Sequence, residues 1–269
     1  MKTRAITGFF FIIVMLASVL LGHYPFGIFY LLLSILCLRE FYSLVKQSGV
    51  DVNQTTGFIN GIAIYVLFAL VTATDVPLYH KLLLLITITV IAVFAQELFK
   101  KSTAPFTNIA YTFLGLILTV IPFTFFHALA YIKGDFNFHY PLAFLVMLWA
   151  NDTGAYLTGM AIGRTKLFER HSPKKTWEGF IGGVLISAGV GLIISHFYAD
   201  ILWYQWAIMG VIIGTVGTMG DLVESMFKRS INVKDSGGIL PGHGGLLDRF
   251  DGLFLAVPVV YTYLYLISN

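Results

Sequence analysis

The sequence predicts an all-α polytopic membrane protein with about nine transmembrane helices. Of its 269 residues, 57% are hydrophobic and only 12% are charged, whereas soluble domains usually carry about 25% charged residues. The apolar residues also form runs long enough to cross a bilayer, which takes about 17–25 residues. Because this amount of polar surface is too small to cover a water-soluble protein, the bilayer must be the solvent for most of the chain.

Apolar runs account for most of the chain. Their approximate bounds are residues 5–21, 24–45, 57–74, 80–98, 108–127, 139–162, 179–198, 202–220 and 251–267. The first run follows Lys2 and Arg4, as in a signal peptide, but no clear cleavage site of small residues follows, which favours a retained first span. Arg39 and Glu40 interrupt the second run, so we expect the residues from Arg39 to Val45 to form an amphipathic extension at the interface.

The distribution of Lys and Arg predicts the orientation. If the runs cross the membrane in alternation, about fifteen of the 17 Lys and Arg residues lie on the side of the N-terminus, and only Lys81 and Lys133 lie on the other. Positively charged loops remain in the cytosol. We therefore expect a multi-pass protein of the cell inner membrane, with its N-terminus and active site cytosolic.

The two halves of the chain differ in character. Residues 1–138 are aromatic and aliphatic with few charges, which predicts a lipid-facing transmembrane bundle. Residues 139–269 are rich in Gly and hold almost every charged cluster, so we expect their helices and cytosolic loops to carry the active site. The pairs Gly159 and Gly163, Gly179 and Gly183, and Gly210 and Gly214 have the spacing that allows membrane helices to pack closely.

The first two polar clusters lie in and after the sixth run. Asp152 lies inside an apolar run, where an ionised carboxylate is costly unless it is paired or binds a metal; the alternative is a buried structural acid. The following loop contains Ser172, Lys174, Lys175 and Thr176 in one short segment. Lysines suit phosphate groups, although an ordinary cytosolic loop would also be basic.

The third cluster predicts a metal site. Asp248 and Asp251 are three residues apart, so both project from one face if they begin the last helix. Asp221 is expected to end the eighth helix on the same side of the membrane. Three carboxylates can therefore converge, and oxygen ligands of this kind suit Mg²⁺. His243, in the Gly-rich loop between them, is a candidate donor to a phosphate group.

Several functional classes are disfavoured. The sequence has no P-loop pattern, no GxGxxG motif opening a helix and no HExxH pair, and its single Cys37 excludes a disulfide within the chain or a Cys-cluster metal site. An intramembrane Asp152 would fit a transporter, but the acids cluster at one membrane surface and no internal repeat is visible. The pattern predicts phosphoryl or nucleotidyl transfer at the membrane surface.

The segment from Ser225 to Asp251 resembles the C-terminal signature of the phosphatidate cytidylyltransferase family. That signature reads Ser-x-hydrophobic-Lys-Arg, four residues, Lys-Asp, then Pro-x-His-Gly-Gly-x-x-Asp-Arg-x-Asp. The matching residues are Ser225, Phe227, Lys228, Arg229, Lys234, Asp235, Pro241, His243, Gly244, Gly245, Asp248, Arg249 and Asp251. Residues 151–156 and 172–179 also resemble segments of the family, whereas the first 140 residues match only in being hydrophobic.

The resemblance implies a reaction and its partners. CTP and phosphatidate would give CDP-diacylglycerol and pyrophosphate. The reaction would need Mg²⁺ and, in the family, a second, monovalent cation such as K⁺. The enzyme would be a homodimer among membrane lipids and would bind no nucleic acid. We expect Asp221, Asp248 and Asp251 to hold Mg²⁺, with Asp152 completing the metal shell or orienting a metal-bound water. The residues expected to bind substrate are Ser172, Lys174, Lys175, Thr176, Ser225, Lys228, Arg229, Lys234, His243 and Arg249. The alternative is a CTP-dependent membrane lipid kinase of the polyprenol or phytol type.

Overall fold

The computed structural model describes residues 2–233, 236–237 and 244–268, with side chains from Thr7 onward. The helices are α1 (Lys2–Leu20), α2 (His23–Gln47), α3 (Gln54–Ala73), α4 (Pro77–Leu82), α5 (Leu85–Phe99), α6 (Pro105–Gly115), α7 (Ile121–Leu129), α8 (His139–Ile162), α9 (Trp177–Phe197), α10 (Trp203–Ser230) and α11 (Leu247–Ile267). A π-helical turn, Leu116–Val120, joins α6 to α7. A hairpin of two short strands, β1 (Lys166–Phe168) and β2 (Ser172–Thr176), precedes α9. The predicted all-α membrane fold is confirmed, with this hairpin as an addition.

Seven helical segments of the described residues are long and apolar enough to cross a membrane. They are His23–Gln47, Gln54–Ala73, Pro77–Phe99, Pro105–Leu129, Trp177–Phe197, Trp203–Ser230 and Leu247–Ile267. Each of the predicted apolar runs overlaps a helix or a pair of consecutive helices. The protein is therefore a multi-pass membrane protein, and the count of about nine spans stays a prediction.

The described residues form two compact units. One contains the residues up to Phe136 together with 236–237 and 244–247, and the other contains residues 137–233 and 248–268. Aromatic rings fill the core of the first unit, where the ring centroids of Tyr30 and Phe126 are 4.6 Å apart. Lipid offers polar groups no partners, and the Tyr42 hydroxyl of this unit donates to the Thr112 carbonyl oxygen at 2.8 Å.

Glycines bring α8, α9 and α10 together in the second unit. A Cβ atom added at Gly210 would lie 2.6 Å from the Ser187 carbonyl oxygen, and one added at Gly183 would lie 2.8 Å from that of Asn151. These helices therefore touch backbone to backbone, as the spacing of the glycines predicts. Trp206 is fully buried in this unit, and its indole nitrogen donates to the Tyr198 carbonyl oxygen at 3.0 Å.

One local prediction is wrong. The eighth helix does not end near residue 220, because α10 continues to Ser230 and so places Asp221 inside the helix. A helix satisfies its own backbone groups and so does not need apolar side chains to continue. The stretch from Arg39 to Val45 is a continuation of α2, which ends at Gln47, and it buries Glu40, which is 5% exposed; its place at the membrane interface stays a prediction.

Candidate active site

The hairpin is fastened to the start of α9. The Thr176 side chain accepts a hydrogen bond from the Gly179 backbone N–H at 3.2 Å, which is a typical N-cap. The Glu178 carboxylate accepts from the backbone N–H groups of Arg164 and Thr165, each at 3.1 Å. Strand β2 and the first turn of α9 are therefore held in one arrangement, and this arrangement positions the two lysines of β2.

A cavity of about 400 Å³ lies within the second unit. Its charged lining residues are Asp152 on α8, Lys174 and Lys175 on β2, Asp221 on α10 and Asp251 on α11. Ligand sites in proteins typically have volumes of about 300–1,000 Å³. With Thr176, which also lines it, six of the residues predicted from the sequence thus line one cavity of suitable size, although they come from four different elements of the chain.

The cavity gathers negative charge. The carboxylates of Asp152, Asp221 and the nearby Glu224 all repel that of Asp251 electrostatically. Lys175 offsets part of this repulsion, since its Nζ lies 2.5 Å from Asp221 Oδ2. Ionised carboxylates this close together repel one another unless a cation or a proton offsets their charge, so the cavity is suited to a positive ion.

The donor set fits Mg²⁺ in its chemistry. Asp152, Asp221 and Asp251 provide the hard oxygen atoms that Mg²⁺ prefers, and Mg²⁺ is commonly held by one or two carboxylates plus substrate phosphates. Within the part of the chain that the structure describes, no three His, Cys, Asp or Glu side chains are close enough to hold a metal by themselves. Substrate phosphates would therefore have to complete the coordination.

Asp248, the remaining acid of the predicted trio, contacts Lys228. The Lys228 Nζ lies 2.5 Å from Asp248 Oδ1 and 2.6 Å from Glu224 Oε2. The three side chains are 14%, 11% and 6% exposed for Asp248, Lys228 and Glu224. Glu224 was not among the predicted site residues; the signal for it was its i,i+4 spacing from Lys228 on one helix face.

The structure describes four more of the predicted residues. Ser225 Oγ donates to Asp221 Oδ1 at 3.4 Å, and Arg229 is exposed and donates to the Val233 carbonyl oxygen at 3.2 Å. Arg249 attracts Asp152 electrostatically. Ser172 lies at the start of β2. Two predicted residues, Lys234 and His243, lie outside the described residues.

Comparison with known proteins gives the family. The sequence model of the cytidylyltransferase family matches residues 2–267. The phosphatidate cytidylyltransferase of Staphylococcus haemolyticus is 33% identical over 262 residues, which covers 97% of each chain. Proteins of the same name from Staphylococcus aureus and Staphylococcus epidermidis are 35% and 32% identical over the same share of the chain. The resemblance found in the C-terminal segment thus extends over nearly the whole protein, and the chain belongs to the cytidylyltransferase family, a family of nucleotidyltransferases.

Proposed function

We propose that this protein transfers CMP from CTP to phosphatidate, giving CDP-diacylglycerol and pyrophosphate. The observation that carries the proposal is the cavity in which Lys174 and Lys175 lie among the carboxylates of Asp152, Asp221 and Asp251. Such a cavity has groups for phosphates and groups for the cation that accompanies them. The relatives named phosphatidate cytidylyltransferase, which match along 97% of the chain, supply the identity of the two substrates.

The reaction needs positioning more than proton transfer. A phosphate oxygen of phosphatidate attacks the α-phosphorus of CTP and forms the new P–O bond. The bond from that phosphorus to the bridging oxygen breaks, and pyrophosphate leaves with the electron pair. The attacking phosphate is already ionised near neutral pH, so the main obstacle is the repulsion between two polyanions, which positioned charges relieve.

The lysines of β2 are suited to that task. Lys174 and Lys175 both line the cavity, and Lys175 already contacts a carboxylate there. Bound phosphates would exchange this contact for their own, which leaves Asp221 available as a ligand. Glu178 accepts hydrogen bonds from the backbone N–H groups of Arg164 and Thr165, just before the hairpin. These bonds keep the two lysines of β2 at the cavity before substrate binds.

Asp152, Asp221 and Asp251 would hold Mg²⁺ together with the substrate phosphates, and Asp248 is the further candidate that the sequence predicts. When bound, the ion supplies charge neutralisation at the phosphate oxygens. The monovalent cation, such as K⁺, and the homodimer rest on the family resemblance alone. A cytosolic site in the inner membrane, among membrane lipids, is supported by the bias of about fifteen of the 17 Lys and Arg residues to one side.

The test is a product assay with the purified protein in detergent. CTP labelled at its α-phosphate is incubated with phosphatidate, with Mg²⁺ or with EDTA, and the lipid and aqueous products are separated. We expect labelled CDP-diacylglycerol with Mg²⁺ only. Asp221→Asn should reduce the rate at least about 100-fold, since charge stabilisation of this kind is worth a factor of about 10²–10³.

Asp200→Asn is the matched control. Asp200 belongs to the same unit and also pairs with a basic side chain, as its Oδ2 lies 2.7 Å from His139 Nδ1, but it does not line the cavity. This variant should stay within about threefold of the wild-type rate, which corresponds to about 0.6 kcal/mol in the barrier, because Asp200 does not line the cavity. Labelled CDP together with a newly phosphorylated lipid would instead identify the kinase alternative and overturn the proposal.

A further inference from the structure

Glu40 is a buried carboxylate in α2 that does not line the cavity. It is 5% exposed. Its Oε2 accepts a hydrogen bond from the Leu247 backbone N–H at 2.7 Å and from Ser236 Oγ at 3.3 Å. These partners are 207 and 196 residues away in the sequence. A buried charge is tolerated only when it is bonded, and hydrogen bonds to a carboxylate are stronger than neutral ones.

Two described glycines, Gly237 and Gly245, lie against this carboxylate. A Cβ atom added at Gly237 or Gly245 would collide with Glu40 Oε1, and one added at Gly245 would also collide with Ser236 Oγ. Only a residue without a side chain allows the backbone to approach the carboxylate so closely. The close approach of Glu40 therefore explains why both of these residues are glycine.

Leu247 is the first residue of α11. The first N–H groups of a helix have no partner within the helix and need an acceptor, and a negative charge at that end is favourable. The Glu40 carboxylate supplies both the acceptor and the negative charge. The helix that begins there carries Asp248 and Asp251 within its next four residues.

We propose that Glu40 is a positioning residue for the reaction, because it fixes the start of α11 and thereby the directions of Asp248 and Asp251. The inference rests on the proposed function as far as catalysis is concerned. The hydrogen bond from the Leu247 backbone N–H to Glu40 can be measured whether or not the reaction is the one proposed.

The experiment compares Glu40→Ala, Glu40→Gln and Glu97→Ala with the wild type. Glu97 is the matched control, because it is 3% exposed in the same unit and accepts from Asn108 Nδ2 at 2.8 Å rather than from the start of α11. Two readouts are taken from each protein. Hydrogen exchange on the peptide that contains Leu247 reports the hydrogen bond to Glu40. The values of kcat and KM from the product assay report the effect on catalysis.

Glu40→Ala should raise exchange at Leu247 by about tenfold or more, as expected for a lost charged hydrogen bond. It should lower kcat by about 10- to 100-fold, because misplacement by about 1 Å can cost 100-fold, with KM for CTP within about threefold. Glu40→Gln should recover both values to within about threefold, since the amide oxygen still accepts. Glu97→Ala should leave Leu247 exchange and kcat near the wild type.

Unchanged exchange at Leu247 in Glu40→Ala, or an equal loss of kcat in Glu97→Ala, would overturn the inference. A wild type that forms no CDP-diacylglycerol while Glu40→Ala still raises Leu247 exchange would overturn the proposed function and the catalytic part of the inference, and leave Glu40 as the anchor of α11. If Glu40→Ala does not fold, Gly245→Ala takes its place, because the added methyl group displaces the same carboxylate.

Discussion

Lys228→Met removes the positive charge between two buried carboxylates and keeps the length of the side chain. The Lys228 Nζ lies 2.6 Å from Glu224 Oε2 and 2.5 Å from Asp248 Oδ1, and the three side chains are 6–14% exposed. Without the lysine the two carboxylates repel each other with little water to screen them. Removing one partner of a buried ion pair costs about 3–5 kcal/mol, so we expect a loss of that size in the free energy of unfolding.

The measurement is thermal unfolding in detergent, followed by the loss of the helical circular dichroism signal. At about 2–4 °C per kcal/mol, the midpoint should fall by roughly 6–20 °C. Arg229→Met is the control, because Arg229 follows Lys228 in the sequence but is exposed, and its side chain donates a hydrogen bond to the Val233 carbonyl oxygen. This variant should change stability by less than about 0.5 kcal/mol. Adding Glu224→Gln to Lys228→Met should recover part of the loss.

A Lys228→Met midpoint within about 2 °C of the wild type would refute this reasoning, since it corresponds to about 1 kcal/mol or less. It would mean that the two carboxylates are neutral or solvated without the lysine. A double variant less stable than Lys228→Met would contradict the role of charge repulsion in the same way.

Two further predictions concern packing and the hairpin. Gly210→Val should destabilise the protein by about 1–3 kcal/mol, because the new Cβ would lie 2.6 Å from the Ser187 carbonyl oxygen. Gly189→Val is the control, because nothing lies within 4 Å of a Cβ added there. Equal thermal midpoints for the two variants would contradict the close packing of α9 and α10 at Gly210. Glu178→Ala should raise KM for CTP by about two- to tenfold, the value of a hydrogen bond or two, because the backbone N–H groups of Arg164 and Thr165, just before β1, lose their acceptor on α9. The exposed Glu169 in the hairpin turn provides the control substitution to Ala, and an equal rise there would argue against the contact.

The membrane fold was predictable because lipid allows few solutions. A run of apolar residues that crosses a bilayer must form a helix to satisfy its backbone, and each run does overlap a helix. The end of α10 was not predictable in this way. Hydropathy falls after Gly220, but the helix continues to Ser230 because its hydrogen bonds do not depend on apolar side chains.

The site was predictable in its residue types and less so in its contacts. The carboxylate of Asp152 in an apolar run and the lysines before α9 pointed to the residues that line the cavity. Asp248 was grouped with Asp251 from helical spacing, but its contact with Lys228 depends on where α10 ends. Glu40 was missed because its partner Leu247 is 207 residues away, and a single sequence contains no record of such a pairing.

The length of α10 has a consequence for the membrane around the protein. Its 28 residues extend for about 42 Å at 1.5 Å per residue, whereas the hydrocarbon layer is about 30 Å thick. The surplus turns fall at the end that carries Glu224 and Lys228, because charged groups avoid the acyl chains. A thicker bilayer would immerse these turns and a thinner one would expose more of the helix, so hydrophobic mismatch with the surrounding lipid should tune this enzyme, and reconstitution into lipids of graded chain length should change its turnover.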